Sequence, residues 1–93
     1  MIYQLKKTSQ FKASVKLAKK RGLNINLLEG IIEKLRTDTP LGVKHKNHQL
    51  SGQFKGIWEC HIQPDWLLLY LKEENNLVMT LVDTGTHSDI FKK

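Results

Sequence analysis

Histidines are the residues of this chain most suited to chemistry. Four occur in 93 residues, and His48, His61 and His87 lie near the ends of predicted strands. Histidine titrates near neutral pH, so a pair of histidines can supply both the base and the acid of a reaction. Asp65 follows His61 across a predicted turn. We therefore expect an ionisable cluster at one end of a sheet.

Metal-free cleavage of an RNA strand suits such a cluster. It needs a base for the 2′-OH proton, an acid for the leaving 5′ oxygen and positive charge for the phosphate. The net charge of +6 and pI of about 9.6 favour a polyanionic partner: RNA, DNA or an acidic protein. The alternative is that His48 and His87 are solvated loop residues, His61 is an exposed strand residue and Asp65 only forms the turn. The residues by themselves leave both interpretations open.

Metal and thiol chemistry are disfavoured. The residues of ligand type are His48, Cys60, His61, Asp65 and His87. None of them shows CxxC, HxxxH or HExxH spacing, and the consecutive Cys60 and His61 point to opposite faces of a strand. Cys60 falls on the apolar face, where a buried thiol is inert. We expect no metal and no cofactor. A single cysteine also fits a reducing cytoplasm.

Two adjacent strands joined by a tight turn position His61. Pro64 and Asp65 are favoured turn residues, and the apolar run 66–70 is typical of a strand covered on both faces. Before the turn the pattern alternates, which places Phe54, Trp58, Cys60 and Ile62 on one face and Lys55, Ile57, Glu59 and His61 on the other. His61 is therefore predicted to leave the strand on the side opposite to the apolar set.

Two helices precede these strands. The first is predicted over residues 9–21, with Ser9 as N-cap and Gly22 as the stop. Asn26 is predicted to cap the second, with Glu29 completing a capping box, and the segment 38–40 ends it. Short strands are expected around residues 3–5 and 48–50, a longer one at 77–82, and a turn or one helical turn over 84–91.

These elements give an α+β domain with the order β-α-α-β-β-β and room for one further short strand. Two N-terminal helices pack on one face of a mostly antiparallel sheet, and the other face is free to bind a partner. We expect one domain spanning residues 1–93. The longest apolar run, 66–71, is too short to cross a bilayer, and the first residues lack signal-peptide features. A cytoplasmic protein is expected.

Three separated motifs carry a family resemblance. They are Lys46-Asn47-His48-Gln49-Leu50 with Gly52 and Lys55-Gly56, then His61-Ile62-Gln63-Pro64-Asp65-Trp66, then Thr84-Gly85-Thr86-His87-Ser88 with Phe91. With them the chain resembles YafQ-type toxins of the RelE superfamily, the ribosome-dependent mRNA endonucleases of bacterial toxin–antitoxin pairs. The histidine set separates this branch from RelE itself, whose site uses arginine, lysine and tyrosine. It also argues against the ParE gyrase poisons, which share the fold.

The resemblance implies which residues act. It places catalysis on His48, His61, Asp65, His87 and Phe91, with Trp66, Lys46 and Lys55 contacting substrate. Cleavage would proceed by metal-independent 2′-OH attack on the adjacent phosphate. Our hypotheses are His87 as general acid and His48 as base, with His61 and Asp65 orienting a neighbour or holding the phosphate. Phe91 would stack on a base. Trp66 has packing around the turn as an equal alternative, and His45 is taken as a solvated loop residue.

The resemblance also implies the partners. These are mRNA and ribosomal RNA in the A site of the small subunit, and a cognate acidic antitoxin that masks the active site. A basic set on the first helix would contact ribosomal RNA, namely Lys12, Lys16, Lys19, Lys20 and Arg21. A plainly solvated helix face is the alternative. Two other functions stay open: a gyrase poison, or a non-catalytic nucleic-acid-binding domain on the same fold.

Overall fold

The computed structural model describes residues 2–91, folded as five strands and three α-helices. In chain order these are β1 (Gln4–Lys7), α1 (Ser9–Lys20), α2 (Ile25–Arg36), β2 (His48–Gln49), β3 (Trp58–Gln63), β4 (Trp66–Glu73), β5 (Val78–Gly85) and α3 (His87–Phe91). Short 3₁₀ helices cover Val43–His45 and Gly52–Phe54. No helix within 2–91 is long and apolar enough to cross a membrane.

The five strands form one sheet in the order β1-β5-β4-β3-β2. The β1–β5 pair is parallel and the other pairs are antiparallel. Gln63 pairs with Trp66, so Pro64 and Asp65 are the two turn residues between β3 and β4. The predicted α+β fold with a mostly antiparallel sheet is confirmed. The short edge strand β2 is the one further strand for which the sequence left room.

The strand alternation builds two cores of unequal size. The larger lies under α1 and α2, where Cys60, Leu68, Tyr70, Met79 and Leu81 pack against the apolar stripes of the helices. The smaller lies on the opposite face, where Leu67 and Leu69 pack against Ile90 of α3. Strand β4 is therefore buried on both faces, as predicted, with residues 66–70 at most 2% exposed. Because α3 packs on β4 and β5, the second face remains open beside β3 and β2.

Both helix caps differ from the prediction by one or two residues. Thr8, not Ser9, caps α1: its Oγ1 accepts from the Phe11 N–H at 2.9 Å and donates to the Val82 carbonyl at 2.7 Å. The cap of α2 is Asn24, not Asn26, and its side chain accepts from the Asn26 N–H. The hydroxyl of Thr8 thus caps α1 and ties it to β5 at the same time, and local sequence gives no sign of the second contact.

Phe54 lies elsewhere than the alternation predicted. Gly52 and Gly56 adopt positive φ values of 68° and 92°, so the segment between them coils and the strand begins only at Trp58. The Phe54 ring meets Phe91 edge to face, with ring centroids 5.2 Å apart. Phe54 is therefore next to α3 rather than in the core beneath α1 and α2.

Candidate active site

A buried carboxylate lies between two histidines on the open face of β3. Glu59 is 5% exposed. Its Oε1 is 3.4 Å from His61 Nε2 and 3.4 Å from His48 Nε2. The first contact arises because Glu59 and His61 are two residues apart on β3 and so point to the same face. The second contact follows from the pairing of β2 with β3, which sets His48 directly opposite Glu59. Two imidazoles thus share one carboxylate oxygen.

The loop before β2 orients the His48 ring. Its Nδ1 is 2.6 Å from the Lys46 carbonyl oxygen. A carbonyl only accepts, so Nδ1 donates, and in the neutral ring Nε2 carries the lone pair. Lys46 turns the chain at this point with a φ of 44°, in the left-handed region. His48 therefore presents a proton-accepting nitrogen toward the Glu59 side of the site.

Asp65 binds His87, not His61. Its Oδ1 accepts from the backbone N–H of His87 at 3.0 Å and from Nδ1 of the same residue at 2.7 Å. The backbone hydrogen bond, followed by the side-chain one, holds the pKa of Asp65 below its usual range. The neighbour that Asp65 orients is thus His87. The ionised Asp65 fixes His87 through Nδ1 and leaves its Nε2 free.

The Glu59 cluster, which holds His48 and His61, lies next to the Asp65–His87 pair, and the rings of His61, His87 and Phe91 follow one another. The centroids of His61 and His87 are 5.5 Å apart, and those of His87 and Phe91 are 6.4 Å apart. Phe91 is 38% exposed and is braced by Phe54. Chemically, the site holds one imidazole with an accepting nitrogen, that of His48, and another, that of His87, whose Nδ1 is held by the carboxylate of Asp65. Such an arrangement can take a proton from one atom of a bound substrate and give a proton to another.

The prediction missed two residues of this site, Glu59 and Phe54. The alternation already placed Glu59 on the His61 face, two residues earlier, so a signal for it existed. Phe54 had none, because its position depends on the coil between Gly52 and Gly56.

Trp66 lies outside the site. Its side chain is 2% exposed, packs in the larger core and donates from Nε1 to Thr84 Oγ1 at 2.9 Å. Thr84 in turn donates to the Leu67 carbonyl at 2.6 Å. Because a buried ring cannot meet RNA, the expected substrate contact is corrected to packing, the alternative that the sequence had left open.

The predicted basic residues fall into two groups. Lys46 and Lys55 are exposed on the loops flanking the histidine cluster, whereas Lys12, Lys16, Lys19 and Lys20 are exposed on α1, which packs on the other face of the sheet. Arg21 differs from them because its guanidinium meets both oxygens of Asp89, at 2.6 and 3.2 Å. This side chain therefore joins the end of α1 to α3, and because it is still 41% exposed, its contact with ribosomal RNA stays a prediction.

The Arg21–Asp89 pair should make the docking of α3 sensitive to acid. Its hydrogen bonds, that from Arg21 above all, hold the pKa of Asp89 well below the usual range. A depressed folded-state pKa stabilises the fold above the unfolded-state value, about 4, and this stabilisation is lost as pH falls further. We expect Asp89→Asn to lower the melting temperature at pH 7, and we expect this difference to shrink steadily as pH falls below about 4. A pH-independent difference in melting temperature would contradict it.

His45 and Cys60 complete the surroundings. His45 is not simply solvated, since its Nδ1 is 2.6 Å from the His61 carbonyl oxygen. Cys60 is fully buried, and desolvation raises the pKa of its thiol to about 12, which makes it a poor nucleophile. Within residues 2–91 no group of three or more His, Cys, Asp or Glu side chains is arranged to hold a metal ion.

Comparison with known proteins identifies the family. The family model described as "Bacterial toxin of type II toxin-antitoxin system, YafQ" matches residues 3–92. The Escherichia coli mRNA interferase toxin YafQ is 35% identical over 85 residues, 90% of each chain. Among solved structures, YafQ in the E. coli DinJ–YafQ toxin–antitoxin complex superposes with a TM-score of 0.88 at 33% identity, covering 98% and 99% of the two chains. A metal-bound toxin from Helicobacter pylori gives 0.89 at 34% identity, covering 98% and 100%. This chain therefore belongs to the YafQ family of bacterial toxins of type II toxin–antitoxin systems.

Proposed function

We propose that this chain is an mRNA interferase that cleaves translated mRNA in the ribosomal A site by metal-independent acid–base chemistry. The observation that carries the proposal is the pairing of imidazoles with carboxylates: His48 and His61 on Glu59, and His87 on Asp65. The E. coli relative's name, mRNA interferase toxin, supports the choice of substrate. The family membership speaks against the gyrase poison and the inert binding domain.

His48 acts as the base. With Nδ1–H engaged by the Lys46 carbonyl, its Nε2 accepts the proton of the 2′-OH while the 2′ oxygen attacks the phosphorus. The ring becomes an imidazolium as it does so. Glu59, 3.4 Å from the same nitrogen, then stabilises the new positive charge.

His87 acts as the acid. Asp65 holds its Nδ1–H, and the protonated Nε2 donates to the 5′ oxygen as the phosphorus–oxygen bond breaks. One bond forms, from the 2′ oxygen to phosphorus, and one breaks, from phosphorus to the 5′ oxygen. The products are a 2′,3′-cyclic phosphate, which water can open to a 3′-phosphate, and a 5′-OH. Side chains make both proton transfers, so the scheme needs no metal or cofactor.

The remaining groups bind the RNA. His61 lies between Glu59 and His87 and contacts the scissile phosphate. Phe91, braced by Phe54, stacks on a neighbouring base, which is how single-stranded RNA is commonly held. The exposed Lys46 and Lys55 neutralise flanking phosphates.

The partners follow from charge and family. The exposed lysines of α1 contact the phosphates of ribosomal RNA, so the affinity for the ribosome falls as the salt concentration rises. The protein acts in the cytoplasm, where ribosomes translate. A cognate acidic antitoxin covers the active site. The structure of the E. coli relative in complex with DinJ supports a partner of this kind.

Mapping of mRNA 5′ ends tests the proposal. Purified protein is incubated with an mRNA either free or engaged by ribosomes, and new 5′-OH ends are located. We expect cuts at A-site codons only when ribosomes are present. Equal cutting of free RNA would overturn the ribosome dependence. Intact mRNA together with broken DNA in arrested cells would favour the gyrase poison instead.

Replacing Trp66 should affect stability and not catalysis. Trp66→Phe removes the Nε1–H bond to Thr84 and leaves a smaller ring in the core. We expect a loss of about 1–3 kcal/mol in the free energy of unfolding, measured by urea titration, with the cleavage rate below the melting temperature unchanged. Reduced cleavage at unchanged stability would instead restore Trp66 as a substrate contact.

A further inference from the structure

His45 links the loop before β2 to strand β3 by a hydrogen bond. It ends the 3₁₀ helix Val43–His45 and is half-buried. Its Nδ1 lies 2.6 Å from the carbonyl oxygen of His61. That oxygen only accepts, so His45 must carry a proton on Nδ1.

This hydrogen bond replaces a missing strand partner. The ladder between β2 and β3 contains only two pairs, His48 with Glu59 and Gln49 with Trp58. Beyond Glu59 no strand within residues 2–91 pairs with the outer edge of β3, and the pairing of β3 with β4 shifts register between His61 and Gln63. The part-buried carbonyl of His61 needs a hydrogen-bond donor. Because the β3–β4 ladder is irregular here, β3 also needs a contact on its outer edge to hold its position. The imidazole of His45 provides both.

The same bond sets the position of the His61 ring. The ring lies 3.4 Å from Glu59 and 5.5 Å from the centroid of His87, between the two halves of the site. Its backbone, however, lies in the irregular part of β3. A small shift of the His61 backbone would carry the ring away from Glu59, and misplacement by about 1 Å can cost about 100-fold in rate.

We propose that His45 is a positioning residue, which acts through the His61 carbonyl to hold the His61 imidazole between Glu59 and His87. It touches neither substrate nor the reacting atoms. This inference rests on the proposed function, in which His61 contacts the scissile phosphate. It also reverses the sequence-based expectation that His45 is merely solvated.

Two substitutions separate the hydrogen bond from the bulk of the ring. Asparagine places an amide N–H where Nδ1 lies, whereas leucine keeps a similar shape without a donor. We expect His45→Leu to lower kcat about 10- to 100-fold with little change in KM, and His45→Asn to stay within about threefold of wild type. On a His61→Ala background, His45→Leu should have no further effect on kcat, because contacting groups couple in a double-mutant cycle. Equal losses on both backgrounds, or no rescue by asparagine, would overturn the proposal.

A measurement on the wild-type protein keeps the test independent of catalysis. Nitrogen-15 NMR of the imidazoles at high pH distinguishes the two neutral tautomers of His45. We expect the proton on Nδ1. An Nε2–H tautomer could not donate to the His61 carbonyl and would overturn the proposal. This measurement does not depend on whether His45→Leu folds. A protein that shows the Nδ1–H tautomer but cuts no mRNA would refute the proposed function alone.

Discussion

His87→Ala should slow cleavage of ribosome-engaged mRNA by about 10²–10⁴-fold, the range that a general acid contributes. The methyl group cannot protonate the 5′ oxygen, so that oxygen must leave as an alkoxide. The fold should survive, since His87 is exposed and Ile90 still anchors α3 in the smaller core. The rate is measured by single-turnover appearance of 5′-OH ends. Ser88→Ala, an exposed neighbour in the same helix, is the matched control and should cut at the wild-type rate.

A modified substrate tests the acid role of His87 directly. If the 5′ oxygen at the cut site is replaced by sulfur, the leaving thiolate needs no proton. His87→Ala should then cut this RNA nearly as fast as wild type does. A variant that stays equally slow on the sulfur substrate would show that His87 binds or orients the RNA without protonating it. Equal cutting of ordinary mRNA by both proteins would remove His87 from the mechanism.

Glu59→Gln should produce the second-largest loss, about 10²-fold in kcat, equivalent to about 2.7 kcal/mol of transition-state stabilisation. Glutamine keeps the shape of the side chain, but it lacks the charge that stabilises the imidazolium formed on His48. The substitution also removes the carboxylate oxygen that lies 3.4 Å from His61 Nε2 and helps to orient that ring. The measurement is the same single-turnover assay, with Glu74→Gln, in the exposed turn after β4, as the control.

Stability separates a catalytic Glu59 from a structural one. A buried carboxylate is costly to desolvate, and a neutral amide of the same shape avoids most of that cost. We therefore expect Glu59→Gln to unfold at the same or a higher urea concentration than wild type. A variant that is less stable yet cuts at the wild-type rate would assign Glu59 a purely structural role and leave His48 without an electrostatic partner.

Much of the framework could be predicted from local sequence. The period-two pattern of β3 placed His61 away from the apolar set, and the apolar run of β4 indicated burial on both faces, which the structure confirms. Gly22 ends α1 as predicted, with a φ of 80° and the Leu23 N–H bonded to the Ala18 carbonyl. The Pro64–Asp65 turn is also correct. These features depend on the neighbours of each residue along the chain, so composition and spacing are enough to predict them.

The partner of each functional side chain was decided only by the tertiary structure. Glu59 receives His48 because β2 pairs with β3, and Asp65 receives His87, 22 positions later, because α3 folds back over the sheet. Trp66 turns into the core, and His45 reaches the edge of β3 where β2 has ended. The sequence by itself determined which residue types were present and on which strand face they lay. Which of them lie within hydrogen-bonding distance depends on how separate elements pack, and that packing follows from burial of the whole core rather than from any local pattern.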